Sequence, residues 1–155
     1  RAEAFLERGR CLAELGRSAR ALEDYGQALA LEPGGARALL ARGDLLFALG
    51  RAAEAEADYG RALQAEPDNA VALVNRGVAR DEQGRHDEAE ADFSRALRLD
   101  PGLVSAWAGR GVARSQRGDM AGMCADYREA CARGGCRRLQ DARAMGYCGE
   151  GAARP

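Results

Sequence analysis

The chain has 155 residues, 23 of them basic and 24 acidic, for a net charge of −1. That balance argues against a nucleic-acid or membrane-surface role, and no apolar run approaches the roughly 18 residues of a membrane span. Every basic residue is Arg, and Lys, Ile and Thr are absent while Ala, Gly and Arg abound, which reads as coding bias from a GC-rich genome rather than as guanidinium recognition.

Arg1 already falls inside the first helical pattern, with neither Met nor a signal peptide ahead of it. The expectation is that a preceding segment has been removed, so no targeting signal is there to read. From there the chain repeats itself every 34 residues. Arg8-Gly9 recurs as Arg42-Gly43, Arg76-Gly77 and Arg110-Gly111; Gly16 as Gly50, Gly84 and Gly118; Ala28 as Ala62, Ala96 and Ala130. Asp24-Tyr25 returns as Asp58-Tyr59, Asp92-Phe93 and Asp126-Tyr127. Pro33, Pro67 and Pro101 punctuate the period, and nothing interrupts the register from Arg8 to Ala130. A fixed period of this size means stacked copies of one supersecondary unit.

The segment from Ala36 to Pro67 shows what a unit contains. Leu39, Leu40, Leu45, Leu46 and Leu49 recur at helical spacing until Gly50; Ala52, Ala55, Ala62 and Leu63 follow until Pro67. This predicts two amphipathic helices of about 14 residues joined by a tight Gly turn and closed by Pro. Units are expected over about residues 2–35, 36–69, 70–103 and 104–135. Gly43 and Ala55 flank Gly50 on the two helices, so they can face each other and let the helices approach, with Tyr59 filling the space beside Gly43. Arg42 and Asp58 are symmetric about the same turn, which predicts one interhelical ion pair per unit, partly exposed and worth roughly 0–1 kcal/mol.

The end of the chain departs from the period. Met123 replaces the small Ala, and Gly135 stands where Pro is due. Leu139, Ala142 and Met145 mark a short helix from Arg137 to Met145 that ends at Gly146, read as a cap over the last unit, with a short tail completing residues 136–155. Four of the five cysteines crowd here. Cys11, alone, takes the place of Leu45, Ala79 and Ala113 and is expected to be buried. A regular helix puts Cys136 and Cys148 roughly 15–18 Å apart, too far for a bond. An antiparallel hairpin turning at Gly134-Gly135 pairs Cys131 with Cys136 and Cys124 with Cys148. The alternative is a single Cys131–Cys148 or Cys136–Cys148 bond with a distorted helix. The spacing does not match the C-x2-C pairs of structural zinc, so oxidised cysteines are expected and no metal. Disulfides point to an oxidising compartment, hence an exported or periplasmic bacterial protein, with a cytoplasmic one the alternative.

With Phe5, Gly9, Ala21, Tyr25, Ala28 and Pro33 in the first copy, and Trp107, Gly111, Tyr127 and Ala130 in the last, the chain resembles the tetratricopeptide repeat, of a bacterial type. The likeness covers about residues 2–135, although Leu39 and Leu73 replace the aromatic of copies two and three. It implies an all-α, right-handed superhelix of four helix-turn-helix repeats plus a C-terminal capping helix, an α-solenoid whose concave groove is lined by the first helix of each pair. The groove would then offer Leu6, Glu7 and Arg10; Arg37, Leu40, Ala41, Asp44 and Phe47; Val71, Val74, Asn75 and Val78; and Ser105, Ala108, Gly109 and Val112. Phe47, Val74 and Val78 are equally readable as packing between units. The mostly small, apolar groove suits an extended or helical peptide segment. The basic clamp of the family's chaperone-binding members is absent, because Leu6, Ala41, Val71 and Asn75 occupy its places and Arg10 stands where an Asn would.

No catalytic constellation is visible. The one His, His86, follows the Gly84 turn and reads as a helix-start residue, and no Ser-His-Asp set, Cys-His set or phosphate loop is present. The expectation is a noncatalytic protein-binding scaffold without cofactor. Its alternatives are a homo-oligomeric structural module and a regulatory domain of a larger chain.

Overall fold

The computed structural model describes residues 1–149, so the tail from 150 to 155 lies outside the described residues. These residues form helices and turns only. α1 (Ala2–Glu14) pairs with α2 (Ser18–Leu31), α3 (Ala36–Ala48) with α4 (Ala52–Ala65), α5 (Ala70–Glu82) with α6 (His86–Leu99), and α7 (Val104–Gln116) with α8 (Met120–Ala132); α9 (Arg137–Ala144) follows. None is long and apolar enough to cross a membrane.

The turn inside each pair is made the same way. Gly50 sits at φ +76°, its N–H donates to Phe47 O and the next N–H, of Arg51, donates to Leu46 O. This pair of bonds satisfies the last carbonyls of α3 and needs a left-handed residue, which Gly supplies without strain.

Close helix approach rests on the second set of glycines. A Cβ on Gly43 would lie 2.6 Å from Cε1 of Tyr59. Phe93 is confined from two sides, since a Cβ on Gly77 would lie 2.9 Å from its ring and one on Gly109, in the next unit, 2.6 Å. The ring is buried and has no direction in which to yield. Gly77→Val is therefore expected to cost about 2 kcal/mol by overpacking. Gly60→Ala, where a Cβ meets nothing, is expected to stabilise by roughly 0.5–1 kcal/mol. Urea denaturation of both variants checks the contrast, and equal midpoints would refute it.

The expected interhelical Arg–Asp pairs are present. All four form, each with two hydrogen bonds, as in Arg42 Nε and Nη2 donating to the Asp58 carboxylate at 2.6 Å. The acids Asp24, Asp58, Asp92 and Asp126 are buried, while each arginine keeps an edge in solvent, so the pairs are partly exposed through the guanidinium. The acid sits on the face that α2, α4, α6 or α8 turns toward its partner, so burial is built into the pairing. Only at the first pair does the Arg stay open, Arg8 being 64% exposed against 15% for Arg110.

Between units a second set of charges appears. Glu56 of α4 accepts from Arg80 and Gln83 of the next unit and from Arg85; Glu90 of α6 accepts from Arg114 and Arg117. At the first junction Leu22 and Leu46 occupy the corresponding places, and α2 lies less closely on α3 than α4 does on α5.

Several carboxylates are held below their usual range. Hydrogen bonding from Arg8 lowers Asp24; burial pushes Glu56 up, but its bonds to Arg80 and Gln83 and the charges of Arg85 and Arg80 outweigh that. Because these folded values lie below the unfolded ones, their contribution is complete above about pH 4–5 and lost as pH falls through the folded values. Thermal unfolding from pH 7 to pH 2 should show a midpoint that falls below about pH 4; a flat profile would count against it.

Cys11 requires a correction: it is exposed and free, whereas its counterpart Ala79 is buried against Ala55 and Tyr59 of the unit before it.

Candidate peptide-binding groove

The first helices touch one another in series, α1 with α3, α3 with α5 and α5 with α7, whereas α2, α4, α6 and α8 make no comparable contacts among themselves in the described residues. Crowding on one side bends the stack and puts α1, α3, α5 and α7 on its inner face.

The candidate residues fall into three groups there. Arg10, Arg37, Asp44, Val71 and Ser105 are exposed. Leu40, Ala41, Phe47, Asn75, Val78, Ala108 and Val112 are half-buried. Leu6 and Val74 are buried at 5% and 7% exposure and offer no groove surface, because both belong to the apolar core shared by successive units. Phe47 leans on the cluster of Leu46, Ala55, Tyr59 and Ala79, so most of its ring serves inter-unit packing.

The polar residues are arranged more tightly than their spacing suggests. Asp44 Oδ1 accepts from the Tyr59 hydroxyl at 2.8 Å and from Asn75 Nδ2 at 2.9 Å. The Asn75 amide is therefore engaged across two units. Burial first, and this hydrogen bond second, push the Tyr59 hydroxyl far above its ordinary pKa. Arg37 is held between Glu3 at 3.0 Å and Glu7 at 3.1 Å, which neutralises it toward an incoming anion. Arg10, Ala41 and Asp44 come together, with Glu14 and Tyr25, around an open cleft of about 390 Å³ between α1 and α3. The groove is thus charged in both signs at the first two units and aliphatic at the last two, where Val71, Val78 and Val112 lie.

Tyr59 escaped the sequence reading as a groove residue. Its ring is a packing residue, and only the hydroxyl reaches the inner face. A partial signal existed, since Tyr59 faces Asp44 in its unit while Phe93 faces Val78. Among the described residues no group of three or more His, Cys, Asp or Glu is placed to hold a metal ion. His86 Nδ1 lies 2.6 Å from Asp81 Oδ1 at the start of α6, a contact between neighbouring helices.

A family profile described as tetratricopeptide repeat matches residues 6–70, 40–104 and 74–135. No curated protein matches in sequence. Among solved structures, MamA from Desulfovibrio magneticus is similar with a TM-score of 0.80 at 22% identity, over 91% of this chain and 78% of that one; at that identity the likeness speaks for the fold alone. The first such domain of Spaghetti (RPAP3), bound to an HSP90 peptide, has a TM-score of 0.71 at 25% identity, covering 77% of this chain and 93% of that one. The corresponding domain of OM64 from Arabidopsis has a TM-score of 0.70 at 28% identity, with 74% and 94% covered.

Proposed function

The chain belongs to the tetratricopeptide repeat family, and on that premise we propose that it is a noncatalytic scaffold that binds a segment of another protein along the face lined by α1, α3, α5 and α7. The observation that carries this is the polarity of the groove: the Arg10–Ala41–Asp44 cleft at one end and Val71, 54% exposed, with Val78 and Val112 at the other. The fitting segment is aliphatic along one part and bears both charge signs along the other. The RPAP3 domain holds an HSP90 peptide, which supports the mode of binding. An acidic chain end is disfavoured here, because Arg37 is already shared by two glutamates.

The test uses peptides selected from a random display library against the wild-type chain. Val78→Glu and Asp44→Ala should each weaken the selected peptides by about tenfold or more, 1.4 kcal/mol, in calorimetric titration. Peptides that bind both variants as well as the wild type would defeat the groove reading.

A second reading, self-association, is favoured by the C-terminal end of α1 and the turn after it, where Cys11 is exposed and Leu15 is 70% exposed. Light scattering decides: a monomer at high concentration removes it.

A further inference from the structure

The last unit holds a second cleft, of about 300 Å³, between the start of α8, the end of α7 and α9. None of the groove candidates lines it, although Val112 packs against the cluster that holds its Met123 and Tyr127, and it gathers all three methionines of the chain, Met120, Met123 and Met145. Elsewhere the buried aliphatic positions are filled by Leu, Val and Ala. Met123 takes a place held by Ala21, Ala55 and Ala89 in the other units, and Met120 a place held by Ser18, Ala52 and His86. Met123 is buried at the floor, at 5% exposure, while Met120 and Met145 remain 39% and 69% exposed at the mouth. Methionines that served only to fill the core would be covered; two of these are not.

We propose that this cleft is a thioether site for a soft monovalent cation, Cu(I) or Ag(I). Thioether sulfur is a soft, neutral donor that selects Cu(I) over harder ions and needs no deprotonation. Met120 and Met123 lie one turn apart on α8 and Met145 ends α9, so a bound ion would join the two helices. Tyr127 and Tyr147 line the same cleft, and aromatic rings are tolerant neighbours for a cation. Arg138 and Asp141, also in the lining, offset each other in charge. The neighbouring cysteines are engaged in disulfides, Cys124 with Cys148 and Cys131 with Cys136. Under conditions that oxidise thiols, thioethers are the sulfur donors left.

Silver(I), which is redox-inert, is the probe, in chloride-free buffer. The background is Cys11→Ser, since the free Cys11 thiol would itself take silver. Native mass spectrometry should show one silver per chain, silver should raise the melting temperature, and zinc should do neither. Met120→Leu/Met145→Leu in the same background, a near volume-conserving change, should keep the metal-free melting temperature and lose both the bound silver and the shift. Silver bound equally by both proteins, or by neither, overturns the proposal.

Discussion

Asp126→Ala is expected to lower the unfolding free energy by about 3 kcal/mol, the low end of the cost of removing one partner from a buried ion pair. Its side chain is 2% exposed. It accepts from Arg110 Nε and Nη2 at 3.0 and 2.8 Å and from Arg114 Nη1 at 3.0 Å. Truncation leaves the Arg110 guanidinium, 15% exposed, without its carboxylate, beside Arg114, 22% exposed, which keeps only Glu90 on its other edge. Water reaches their outer edges, which keeps the cost from the top of the range. Asp24→Ala should cost far less, because Arg8 is 64% exposed and rehydrates once its partner is gone. Guanidinium titrations of both variants read the difference. Costs that are equal and below about 1 kcal/mol would mean that these pairs behave as surface salt bridges.

Removing the Cys124–Cys148 bond is expected to cost about 2–4 kcal/mol. The bond closes a loop with a sequence separation of 24, against 5 for Cys131–Cys136, so in the chain-entropy account it constrains the unfolded state more. Its local consequence is sharper. α9 has eight residues, too few to be helical alone, and it buries only Leu139 and Ala142. Without the bond α9 is tied to α8 only at its start, through Cys131–Cys136, so its far end can lift and uncover Met123 and Tyr127. In Cys124→Ser/Cys148→Ser, hydrogen exchange over residues 137–144 should rise toward that of a free peptide, while α3 to α6 remain protected. Unchanged protection over 137–144 would show that the apolar contacts alone hold the cap.

How much of this was legible depends on the separation of the interacting residues. The Arg–Asp pairs, 16 residues apart, are mirror positions about one Gly turn, and the contacts of Gly43 with Tyr59 and of Gly77 with Phe93 lie one residue beside them; once the turn is read, the contact follows. The hairpin turning at Gly134-Gly135 brings Cys124 near Cys148 in the same way. By contrast, Asp44 with Asn75 and Glu56 with Arg80 lie 31 and 24 residues apart. They meet only because each unit is rotated on the one before, and the sequence does not specify that rotation.

The sequence by itself determined the unit, its turn, its tight interior and the number of copies, because a 34-residue register repeats the same local physics each time. Tertiary structure alone decided what depends on how units stack. It buried Leu6 and Val74, left Cys11 exposed, and sank four aspartates whose pairing was readable but whose depth was not. It committed Asn75 to Asp44 and drew Met120, Met123 and Met145 into one cleft. The physical reason is common to all: burial and polar partnership at these positions are properties of the seam between units, and a period records the units without recording the angle at which they meet.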